Sequence, residues 1–118
     1  PTTTRERLNT VVAAAWHAMS TPTARAASEI LIGTRATRGA KAAGHLRRLA
    51  ETFTTLGRMI DDDLDPTQSA AIGEHILTTL RGMIATQLMM PKAVDTNDDR
   101  RLLVDLLTSY IQTTRSEL

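Results

Sequence analysis

Cysteine is missing from the chain altogether, which excludes disulfides, thiolate nucleophiles and sulfur-rich zinc sites and fits a reducing compartment, so a cytoplasmic setting is expected. Aromatic residues are nearly as scarce. Trp16, Phe53 and Tyr110 are the only three in 118 residues, so aliphatics and methionines must fill the interior. An excess of one charge is lacking as well: 14 basic groups oppose 13 acidic ones, and a net charge of +1 gives no reason to expect strong nucleic-acid binding. No apolar run approaches the ~20 residues of a bilayer span, and the opening Pro1-Thr2-Thr3-Thr4-Arg5 lacks the apolar block of a signal peptide. No membrane partner is therefore expected. Residues 1–118 are enough for a single domain with one core. The first residue is Pro1 rather than Met, which leads us to expect a processed or excised piece of a longer protein.

Enzyme signatures are absent too. The histidines are His17, His45 and His75; no HExxH occurs, and no Glu is followed three residues later by His, as a di-iron carboxylate bundle requires. Neither GxSxG, GxxxxGK[ST] nor GxGxxG is present, and the six glycines are scattered singly. The reading is of a non-enzyme with no catalytic residue, no metal and no cofactor. His17 falls on the side of its helix opposite Leu8 and is expected to be solvated.

What the chain does have is helical periodicity throughout, without the alternation of strands, so the expected class is all-α with about five antiparallel-packed helices. Thr3 with Glu6 forms a capping-box pattern opening a helix over about 4–20, with Leu8, Val11, Val12, Ala15 and Met19 on one face. Thr21 before Pro22 starts a second helix striped by Ala24, Ala27, Ile30, Leu31 and Thr34. After Gly39, the residues Leu46, Leu49, Phe53, Leu56 and Ile60 define a third, ending in Asp61, Asp62 and Asp63, which read as a solvated terminus. Asp65-Pro66-Thr67-Gln68 supplies a cap acid, a first-turn proline and a third-position glutamine, starting a fourth helix that runs towards Met90 before Pro91. Thr96 with Asp99 caps the fifth.

The last two helices carry more apolar arc than one small core needs. On the fourth, Ile72, Ile76, Leu80, Met83, Gln87 and Met90 share one sector, with Leu77, Ile84 and Leu88 beside it; on the fifth, Leu102, Leu103, Leu106, Leu107, Tyr110 and Ile111 spread widely. A surface helix of a monomer needs an apolar stripe of about 100°, so the surplus calls for a partner, and two copies of a helix pair can close a four-helix bundle about a two-fold axis. Leu77, Ile84, Leu88, Leu103, Leu107 and Tyr110 are assigned to that dimer contact. Five methionines suit a cavity for varied apolar ligands, and Gln87 and Arg35 are costly to bury unpaired. Trp16, Met19, Leu31, Arg35, Phe53, Leu56, Met83 and Gln87 are accordingly the candidate lining of a site for a small, largely apolar effector. Charge is also segregated: residues 1–58 carry a surplus of +6, and residues 59–118 carry −5. Folding is expected to bring these halves together.

With Leu80-Arg81-Gly82-Met83-Ile84-Ala85 in the penultimate helix and Asp99-Arg100-Arg101-Leu102-Leu103-Val104-Asp105-Leu106-Leu107 opening the last, the layout resembles the C-terminal regulatory domain of the TetR family of bacterial transcriptional repressors. The resemblance spans essentially the whole chain. It implies homodimerisation through the last two helices, a small apolar or amphipathic effector held among the earlier ones, and DNA contact only through an N-terminal helix-turn-helix that does not precede Thr3 here. The basic first half would then lie nearest that reader. A ligand-free helical dimerisation or protein-docking module is the alternative, and a filled core around Met83 and Gln87 would favour it.

Overall fold

Two reciprocal caps set where the first and fourth helices begin. Thr3 accepts from the Glu6 amide while the Glu6 carboxylate accepts from the Thr3 amide, and Asp65 and Gln68 do the same one residue before Pro66. Such caps satisfy donors that the first helical turn leaves unpaired. The computed structural model describes residues 3–33, 40–92 and 94–116, with side-chain surroundings for all of these except 28–33, 40–43, 45, 46 and 116. The described residues form five α-helices and no strand: α1 Thr4–Met19, α2 Pro22–Gly33, α3 Ala40–Arg58, α4 Pro66–Met89 and α5 Asn97–Ser116. The fold is all-α.

Helix α2 follows α1 directly because the Thr21 hydroxyl accepts from the Ala24 amide at 3.1 Å. The start of α5 differs from the expected Thr96–Asp99 box. The Asp95 carboxylate accepts from the Asn97 amide at 2.9 Å, and the Thr96 hydroxyl accepts from Arg100 Nε at 3.1 Å.

Helices α3 and α4 make the most extensive pairing, and two glycines allow it. A Cβ on Gly57 would collide with the Ser69 carbonyl, and one on Gly73 with the Phe53 carbonyl, so the two backbones touch where they cross. Close approach brings Phe53, Ile60 and Leu64 onto Ile72, Ile76 and Leu80, and Leu8, Val12 and Ala15 of α1 complete that core with Leu103, Val104, Leu107 and Ile111 of α5. Fully burying each of the larger aliphatics contributes roughly 1.5–3 kcal/mol.

Helix α5 packs chiefly along α1 and touches α4 only sparingly. This departs from a hairpin of the last two helices. Of the residues assigned to the dimer contact, Leu77, Ile84, Leu103 and Leu107 are buried inside the single chain. The physical reason is that α3 packs along α4 while α1 packs against both α4 and α5, so Ile72, Ile76, Leu77, Leu80 and Ile84 of the α4 arc are buried internally.

Of the acidic run after α3, Asp62 and Asp63 are exposed as a solvated terminus would be, but Asp61 is not. The Asp61 side chain is 2% exposed and pairs with Arg115 at the far end of α5. It also accepts from the Thr4 hydroxyl at 3.1 Å and from the Asp63 amide at 2.9 Å. A buried carboxylate needs such partners to stay charged. Arg5 of the basic half pairs with Asp105 of the acidic half, an instance of charge cancellation across the fold. No helix among the described residues is long and apolar enough to cross a membrane.

Candidate functional site

What α5 fails to bury is its outer stripe. Leu102, Leu106 and Tyr110 recur at four-residue steps and are 55%, 59% and 47% exposed. Across from them α4 presents His75, Thr79, Gly82 and Thr86, a face of small and polar residues at helical spacing. Between the two faces lies an open cleft of about 490 Å³, lined also by Met83, Leu103, Gln87, Val94, Thr96 and Asp99. Its size falls within the usual range for small-molecule sites, about 300–1,000 Å³. Nothing lies within 4 Å of the position a Cβ on Gly82 would take. Unlike Gly57 and Gly73, Gly82 is therefore not required by packing inside the chain.

The Gln87 end of the cleft is a polar junction. Gln87 Nε2 donates to the Val94 carbonyl at 2.8 Å, and its Oε1 accepts from Arg25 Nη2 at 2.8 Å, so one amide ties α2 to the connection leading into α5. Arg25 Nε is shut off from solvent and has no acceptor among the described residues. Nearby, Arg100 stands over the Trp16 ring with its guanidinium carbon 5.0 Å from the centroid and donates to Thr96 and Asn97. A guanidinium on an indole face gains about 0.5–1 kcal/mol at an exposed site.

The expected effector lining is divided by these placements. Met83 and Gln87 border the cleft, whereas Phe53 is in the core and Trp16, Met19 and Leu56 pack against it. Leu31 lies among the residues without described side chains, and Arg35 lies outside the described residues. Gln87 is paired with Arg25 and a backbone carbonyl. Arg25 sits one turn after the Thr21 cap and carried no apolar-stripe signal, which is why the sequence reading passed over it. For the expected dimer contact, Tyr110 is exposed and Leu88 half-buried, while the exposed leucines are Leu102 and Leu106. The wide arc of α5 was legible, but not which edge of it α1 would take.

No group of three or more His, Asp or Glu among the described residues is placed to hold a metal ion. Comparison with protein-family models, with curated proteins and with solved structures gives no match.

Proposed function

We propose that the chain is the dimerising regulatory domain of a TetR-like transcriptional repressor, in which α4 and α5 of two copies meet and a small amphipathic effector controls DNA binding by a separate helix-turn-helix. One observation carries the reading: the apolar stripe Leu102, Leu106, Tyr110 stands exposed beside an open cleft whose opposite wall is the small-residue face around Gly82. An exposed apolar stripe next to a groove marks an interaction surface. A two-fold axis lets each copy place its stripe in the other's cleft, with the same patch used twice. The chain is also a slab, 46 × 33 × 22 Å, with a radius of gyration of 15.3 Å. A compact domain of this length has about 13–14 Å, so the single chain is flatter than a solitary globule.

A filled core around Met83 and Gln87 would favour the second reading, a ligand-free dimerisation or docking module, whereas both residues border the open cleft. The two readings separate on the coding sequence immediately before Pro1. A helix-turn-helix of about fifty residues there, with mobility-shift binding of the whole product to its own upstream DNA, supports the repressor reading. An unrelated neighbour, or no DNA binding, overturns it and leaves the module.

A further inference from the structure

We infer that Arg25 is the anchor for a carboxylate-bearing amphipathic ligand, and that such a ligand takes the place of Gln87 on the guanidinium. The inference deepens the effector half of the proposed function and rests on it. Arg25 is half-buried, yet among the described residues its hydrogen-bond partner is the neutral Gln87 amide, and no carboxylate of those residues pairs with it. One of its donors, Nε, is buried with no acceptor among the described residues. Leaving a buried donor unmatched costs about 1–3 kcal/mol, and a bond to a charged acceptor is roughly twice as strong as one to a neutral acceptor. An arginine in this state presents a planar fork matched to the two oxygens of a carboxylate.

The rest of the ligand follows from what surrounds Gln87. That residue lines the cleft together with Met83, Val94 and Leu103, a lining suited to a short aliphatic chain, which there competes with the partner copy's stripe for the same apolar surface. Displacing the Gln87 Oε1 from Arg25 also loosens the other half of the same amide, the bond to the Val94 carbonyl. Val94 belongs to the connection that leads into α5, so ligand occupancy reaches the stripe proposed for dimerisation.

The test compares octanoate with octanol on the full chain, read by the fluorescence of Trp16, the one tryptophan present. Octanoate is expected to bind at least about tenfold more tightly than octanol, since only the acid makes the charge-assisted pair. Arg25→Gln, checked for folding by its circular dichroism melt, should abolish that preference. Gln87→Leu should strengthen octanoate binding several-fold by removing the competing acceptor, an effect that a purely structural role for Arg25 does not produce. Should Arg25→Gln unfold, Gln87→Leu and Arg25→Lys, which keeps the charge but not the fork, carry the same comparison. Equal binding of acid and alcohol, or an acid preference unchanged in Arg25→Gln, overturns the inference. Dimerisation measured alongside keeps the outcomes separate: a dimer blind to octanoate sinks the anchor alone, and a monomer that selects octanoate sinks the dimer.

Discussion

Three glycines of α3 and α4 look alike in the sequence and do different things in the fold. Gly57 and Gly73 each face a backbone carbonyl of the opposing helix, so a methyl group at either pushes the helices apart. Gly57→Ala or Gly73→Ala is expected to lose about 3 kcal/mol in urea unfolding, at the upper end of overpacking, because backbone cannot rotate aside as a side chain can. Gly82 faces open space, and a mid-helix glycine is worse than alanine by roughly 0.5–1 kcal/mol. Gly82→Ala should therefore raise the stability of the isolated chain by about that amount, while weakening association where a second copy needs the space. Thermal melts over a range of protein concentrations check both signs. Sequence periodicity reports that a glycine interrupts a helix pattern, but whether another backbone lies over it depends on a partner tens of residues away. Asp61 is a similar case: in a run of three aspartates it is the buried one, and its partner, Arg115, lies 54 positions away. Asp61→Ala removes the acceptor of the Thr4 hydroxyl and the Asp63 amide and leaves Arg115 with only its longer pairing to Asp63 at 3.6 Å and its bond to the Thr4 hydroxyl, and a loss of about 2–3 kcal/mol is expected, smaller than for a fully buried pair because Arg115 is partly solvated.

At the scale of the helix, local signals were the legible ones. The caps at Thr3 and Asp65 and the stop before Pro91 depend on residues within one turn, and the structure places all three where the spacing predicts. Asp65→Ala should cost about 1 kcal/mol in chemical unfolding, the usual worth of a side-chain cap. Which face of a helix meets which neighbour was not legible in the same way. Of the wide α4 arc, Ile72, Ile76, Leu77, Leu80 and Ile84 proved internal, because α3 crosses at the two glycines and α1 covers more of it, whereas Met83, Gln87 and Leu88 are half-buried and Met90 is exposed. On α5 the same width divides differently. Leu103, Leu107 and Ile111 turn to α1 and the core, while Leu102 and Leu106 turn outward. Positions one residue apart differ by about 100° around a helix, so a one-residue misassignment moves a leucine from core to surface. The candidate site was half legible for this reason: Met83 and Gln87 border the cleft, but its opposite wall and the Arg25 partner come from the way the helices pack.

At the scale of the whole molecule, the account holds that the flat chain is half of a closed assembly, with the α5 stripe of each copy seated in the other's cleft. Burying two leucines and a tyrosine in each copy brings roughly 1.5–3 kcal/mol per side chain, offset by the several kcal/mol that association costs in lost freedom. A dimer of micromolar strength or better is the expectation. Leu102→Glu and Leu106→Glu place a charge on that face without touching the core, so each should abolish the dimer while shifting the stability of the isolated chain by no more than about 0.5 kcal/mol. Sedimentation equilibrium of the wild-type chain beside Leu106→Glu, at concentrations from one to one hundred times a micromolar Kd, tests this most directly. The account predicts a concentration-dependent dimer that the charge converts to monomer; a wild-type chain that stays monomeric throughout, or a dimer unaffected by the substitution, would contradict it.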